Sequence, residues 1–206
     1  MPRIIDEAKR REQIAEAVWD IAAEQGLDRA TVRAVADRCG LSVGSVQNSF
    51  RSQDDLKRFA MELVVQRVTE RLEAPTSAFP TSAASADTPH IVAELLMETL
   101  PLDAERQKEA HIWAAFSAAA LINESLAPSY RQMNDALARF CQACLQHVSA
   151  SAGQPLGEEA LALEALHLQS LLDGLTLSLL ADPSPQTMHL AQHVVNSHIE
   201  RIARHR

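Results

Sequence analysis

The chain has 206 residues, a length that leaves one large domain or two small ones open. Its 47% hydrophobic and 22% charged residues are ordinary globular usage and exclude wholesale disorder. Aromatics are only 4% and glycines six, while Ala, Leu, Glu, Gln and Arg recur, which argues against a β-rich fold and for an all-α one.

The net charge of -8 speaks at first sight against nucleic acid, but residues 1–58 hold ten basic and ten acidic side chains, so the whole excess lies beyond them. Two parts of different charge suggest two partners. No apolar run approaches about 18 residues, and the N-terminal MPRIIDEAKRREQ has no apolar core, so neither a membrane span nor a signal peptide is expected and a cytoplasmic location follows. Three cysteines, Cys39, Cys141 and Cys144, form no disulfide framework.

Apolar spacing predicts the elements in order. Ile14, Val18, Ile21 and Ala22 line one face of a first helix over residues 6–25, with Gly26 as its stop. Thr31 caps a second helix over 32–39, facing inward through Val32, Val35 and Ala36. Gly40-Leu41-Ser42 breaks it, and Ser42 caps a third helix over 43–50 with Val46 and Phe50 turned to the core. A fourth, over 54–72, starts on Asp54 and Asp55, which suit the positive end of a helix dipole. The Pro/Ser/Thr/Ala segment 74–89 is expected to be a flexible loop. Five more helices are predicted over 90–100, 104–123, 128–151, 158–181 and 185–205.

Two short helices joined by a three-residue turn with Gly make a helix-turn-helix, whose second helix enters a DNA major groove. Val43, Gly44, Gln47 and Asn48 occupy the face of the third helix opposite Val46 and Phe50. Gln and Asn can pair bidentately with adenine edges, and a Gly allows close backbone approach.

The run from Arg10 to Leu56 resembles the DNA-binding domain of the tetracycline-repressor (TetR) family through Gly26, Thr31-Val32, Val35-Ala36, Gly40-Leu41-Ser42, Gly44, Val46, Phe50 and Asp54/Leu56. Leu100-Pro101-Leu102-Asp103, Trp113-Ala114-Ala115-Phe116 and Leu172-Asp173-Gly174-Leu175 are similar to the betaine-regulator-like group of that family. The resemblance implies a homodimeric, ligand-responsive transcriptional regulator, usually a repressor, on an inverted-repeat operator of double-stranded DNA. It carries DNA contact onto Thr31, Arg33, Ser42, Val43, Gly44, Ser45, Gln47 and Asn48, with charge from cations such as Lys57. The family's phosphate-holding Tyr and Lys are replaced by Gln47 and Gln53. An alternative reading is a helical interaction or adaptor protein of the same fold that no longer binds DNA, resting on those two replacements and on the neutral N-terminal part.

The expected division is a helix-turn-helix domain over residues 1–53 and a helical effector-binding and dimerisation domain over 54–206. The eighth helix is apolar on two sides. Its stripe Leu168, Leu172, Leu175 and Leu179, with Val195, Ile199 and Ile202 of the ninth, is expected to form a four-helix dimer interface. Within the family the effector lies inside the C-terminal domain. Met97, His111, Trp113, Phe116 and Asn123 are candidates to line that pocket, as are Tyr130, Met133, His167 and Asp173. The fourth helix is expected to be the one continuous element joining the reading head to that domain.

Other chemistry is thin. Cys141-Gln-Ala-Cys144 lies mid-helix without a second ligand pair, and His189/His193 lack an acidic partner, so no metal is expected. No nucleophile elbow, P-loop or dinucleotide fingerprint is present, so neither an enzyme nor a cofactor is expected.

Overall fold

The computed structural model describes residues 7–76 and 87–204. Its described residues form nine α-helices and one short 3-10 turn, with no strand among them. Helix α1 (Glu7–Gln25) buries Ile14, Val18 and Ile21 completely or nearly so, as the spacing predicts. It ends at Gly26, whose φ of 90° is available to Gly at little cost. A 3-10 turn, Leu27–Arg29, follows and drops Leu27 into the core. Apolar spacing does not signal this turn, because three residues hold no period.

Helices α2 (Val32–Cys39) and α3 (Val43–Ser49) match expectation to within a residue, and α4 (Gln53–Thr76) runs beyond its expected end at 72. The predicted loop 74–89 falls mainly on residues 77–86, outside the described residues; its flanks belong to α4 and to α5 (Thr88–Met97). Helices α6 (Ala104–Ala120), α7 (Ala127–Ser151), α8 (Glu158–Ala181) and α9 (Pro185–Ala203) complete the order. The expected helix over 104–123 stops three residues early, where Asn123 starts a turn that accepts from the amides of Leu126 and Ala127.

The chain divides into two compact units, Met1–Arg67 with Lys108–Arg131, and Val68–Gln107 with Gln132–Arg206. The first unit therefore holds more than the expected segment 1–53: it includes the first half of α4 and the turn between α6 and α7. Its core gathers Ile14, Val18, Trp19, Val35, Val46, Phe50, Leu56 and Ala60. The Trp19 indole N–H donates to the Ala60 carbonyl at 2.9 Å, a buried bond that fixes α1 against α4. In the second unit α5, α7, α8 and α9 share one core, centred on Leu96, Leu100, Leu145, Leu168 and Ile199.

Candidate nucleic-acid interface

The helix-turn-helix is held by its caps. Thr31 accepts from the Ala34 amide at 3.2 Å and Ser42 from the Ser45 amide at 3.2 Å, each meeting a donor that a helix start leaves unpaired. Between them Gly40 adopts φ 65°, and the Leu41 amide returns to the Ala36 carbonyl at 2.9 Å, closing α2. Val35, Val46 and Phe50 point inward. Val43, Gly44, Gln47 and Asn48 are exposed together along α3, as are Thr31, Arg33 and Ser42, while Ser45 is half-buried. That face offers two amide side chains for base edges, an apolar Val43 for a thymine methyl, and no bulk at Gly44.

The cations sort into two sets. Arg38 grips Glu24 through both guanidinium nitrogens, at 3.0 and 2.6 Å, and this contact holds the Glu24 carboxyl below the usual range. Arg67 bonds Glu16 at 2.9 Å and lies 4.4 Å over the Trp19 ring. Arg58 pairs with Asp55. Lys57 differs from its expected place among the phosphate contacts: its side chain is 7% exposed and its ammonium meets Asp28 at 3.1 Å. Gln53 also turns toward that segment, donating to the Asp28 carbonyl at 3.5 Å. Arg29, Arg33 and Arg51 are exposed and have no carboxylate partner among the described residues.

The start of α4 is tied to the α6–α7 turn. Asp54 accepts from Asn123 Nδ2 at 3.2 Å and from the Ser125 hydroxyl, and Arg58 donates to the Ser125 carbonyl at 3.4 Å. The Ser125 bond is the main cause holding the Asp54 carboxyl below its ordinary value. Nothing in local spacing signals a contact between residues about seventy positions apart. Asn123, expected to line an effector pocket, is engaged in this network instead.

The remaining effector candidates fall in both units. His111, Trp113, Phe116 and Tyr130 belong to the first, with Phe116 fully buried and His111 exposed. Met97, Met133, His167 and Asp173 belong to the second. Met97 is part of the apolar core, and His167 is exposed beside Glu164, 3.6 Å away. Asp173 is half-buried, and burial pushes its carboxyl up to about 6. Burial and the nearby Asp173 charge push the Cys141 thiol up to about 12; burial does the same to Cys144. Both thiols are free and poorly suited to nucleophilic or redox chemistry.

The expected dimer stripe needs correction. Leu168, Leu172, Leu179, Val195, Ile199 and Ile202 are at most 2% exposed within a single chain, and Leu175 packs against the same core. A two-sided apolar helix does not reveal which side its own domain takes. The outward side carries Leu163, Leu166 and Leu177 of α8 and Leu190 and Val194 of α9, between 37% and 61% exposed. Among the described residues no group of three or more His, Cys, Asp or Glu is placed to hold a metal, and no helix is long and apolar enough to cross a membrane.

A capped α2–turn–α3 with an exposed amide-bearing face, followed by an all-helical unit, has the build of a helix-turn-helix DNA-binding protein. Residues 14–58 match the family of bacterial regulatory proteins of the tetR type, and residues 91–204 match the C-terminal domain of BetI-type transcriptional repressors. The HTH-type transcriptional regulator PksA of Bacillus subtilis is 32% identical over 98% of this chain and 94% of its own. A transcriptional regulator of Rhodococcus sp. Rha1 superposes with TM-score 0.76 at 30% identity, covering 93% of this chain and 95% of its own. A regulator from Saccharomonospora viridis, solved in complex with choline, shares the fold at TM-score 0.77 and 20% identity, over 94% of this chain and 96% of its own. The chain belongs to the TetR family of transcriptional regulators, with a BetI-type C-terminal domain.

Proposed function

We propose that the protein is a homodimeric repressor that binds an inverted-repeat operator in the cytoplasm and is released from it by a small-molecule effector. The observation that carries the assembly is the outward face of α8 and α9. Five exposed aliphatic side chains there form a patch that a monomer would show to water. Gly174 lies on the same side of α8, between Leu166 and Leu177. A Cβ there would meet nothing within 4 Å beyond its own stretch of helix, so the close approach that a mid-helix Gly permits is left for a second copy. Two readers related by a two-fold axis match an operator of the same symmetry.

The DNA contacts assigned to this reading are Thr31, Arg33, Ser42, Val43, Gly44, Gln47 and Asn48, with Ser45 as capped support. For the effector, Asp173 is the candidate with the most distinctive environment: a half-buried carboxyl on α8, pushed up by burial, beside an apolar core. The effector is a small, largely apolar molecule that shifts the balance between operator-bound and free forms, by a coupling of about 1 to 3 kcal/mol in typical cases.

Calorimetry and anisotropy on the full chain test this. Light scattering is expected to give a dimer, and a duplex selected from a randomised pool is expected to contain two half-sites. A stable monomer, or a selected site without two-fold symmetry, would overturn the dimeric reading. An effector with equal affinity in the presence and absence of that duplex would overturn its role in release.

A further inference from the structure

Among the cations near the reader, Arg11 has an environment of its own. It lies on α1 with no carboxylate partner among the described residues, yet it is held in place: its guanidinium lies 4.9 Å from the Phe50 ring centroid and 4.4 Å from that of Phe59. The two rings are themselves 5.3 Å apart, so the guanidinium rests on an aromatic pair. Phe50 is the residue that closes α3, and Arg51 beside it is exposed. Arg11 is thus fixed at the C-terminal end of the reading helix.

The start of α4 provides no free cation, since Lys57 is taken by Asp28 and Arg58 by Asp55 and the Ser125 carbonyl. The exposed, unpaired Arg29 and Arg33 stand at the start of α2. Among the described residues, charge available to a DNA backbone is therefore found before and within the first turn of α2, at the end of α3, and at Lys9 and Arg10 near the start of α1. A guanidinium stacked by its face keeps its N–H donors at the edges, where its planar fork suits phosphate oxygens. Stacking also removes rotamer freedom before DNA arrives, which lowers the ordering cost of a contact.

We propose that Arg11 is a phosphate-contacting residue, presented to the DNA backbone by Phe50 and Phe59, and that with Arg51 it anchors the backbone at the C-terminal end of the reader. The test is fluorescence anisotropy of a labelled duplex, selected by the unmodified protein from a randomised pool, across a series of salt concentrations. Arg11→Gln is expected to lower the slope of log affinity against log salt by about 0.9 for each phosphate that the guanidinium neutralises, with an unchanged melting temperature. Arg11→Lys is expected to keep the slope and bind more weakly, because an ammonium has no flat face to stack. Phe59→Leu is expected to weaken binding several-fold at an unchanged slope, which keeps the test open if Arg11→Gln does not fold. An unchanged slope in Arg11→Gln with a lowered melting temperature would show that Arg11 only covers the rings, and would overturn the proposal. Unchanged affinity in both Arg11→Lys and Phe59→Leu would do the same. Failure of the unmodified protein to select any duplex would instead overturn DNA binding itself, and Arg11 with it.

Discussion

The α2–α3 pair and the α8–α9 pair are both consecutive helices joined by a short turn, but different forces specify them. The first is eight and seven residues of helix punctuated by Thr31, Gly40 and Ser42, so its ends are set by hydrogen bonds that each involve neighbours in sequence. The second is long and rich in leucine, and its faces are chosen by what else the chain packs against it. Leu168 and Leu172 go inward while Leu166 and Leu177, of the same type on the same helix, go outward. Caps specify locally; faces are specified only by the whole fold.

The largest effect should separate those two faces of α8. Leu168→Ala is expected to destabilise the chain by roughly 2 to 5 kcal/mol, as a fully buried leucine leaving a cavity, whereas Leu177→Asp should leave the melting of the second unit's core nearly intact and shift light scattering toward monomer. Equal loss of folding in both would erase the distinction. At the reader, Asn48→Ala is expected to cost about 1 to 3 kcal/mol of operator affinity at one base position, measured by competition with single-base variants, with no change in thermal melting. Ser42→Ala, unlike Asn48→Ala, should also lower stability, by about 1 kcal/mol through removal of the cap, read from chemical denaturation.

A titration sharpens the contrast further. Burial raises the Asp173 carboxyl to about 6, so the folded state favours the protonated form. No penalty exists below the ordinary carboxylate range; it grows as pH rises toward 6 and is complete above it. Asp173→Asn is therefore expected to gain about 1 kcal/mol at pH 7.5 and little at pH 4, a figure reduced from the full shift because the side chain is part exposed. The smallest effect is expected at Lys57. Lys57→Met should change stability by less than about 1 kcal/mol and leave the salt slope of DNA binding unaltered, since Asp28 is largely exposed and the ammonium is already occupied.

The helix order and both caps of the reader are legible in the residues because Thr, Ser and Gly act on amides three or four positions away. The exposed reading face follows from the inward Val46 and Phe50. Lys57 reads as a backbone contact until the fold is known, because its partner Asp28 sits in a 3-10 turn with no apolar period to announce it. The α8 stripe reads as an interface for a similar reason: leucines cover both sides, and spacing alone cannot say which side joins the core of its own unit. Arg11 does not stand out within its basic run, since only folding brings Phe50 and Phe59 together beneath it.

The network joining Asp54 and Arg58 to Asn123 and Ser125 bears on how such regulators can be recombined. The reading head is assembled from two separate stretches of chain, so no single cut in the sequence releases it whole. A hybrid that borrows residues 1–67 alone would set a foreign turn against the start of α4. Transplanting the specificity of this reader into another host therefore means carrying Asn123 and Ser125 along with Gln47 and Asn48, or supplying a turn that presents the same amide and hydroxyl to Asp54.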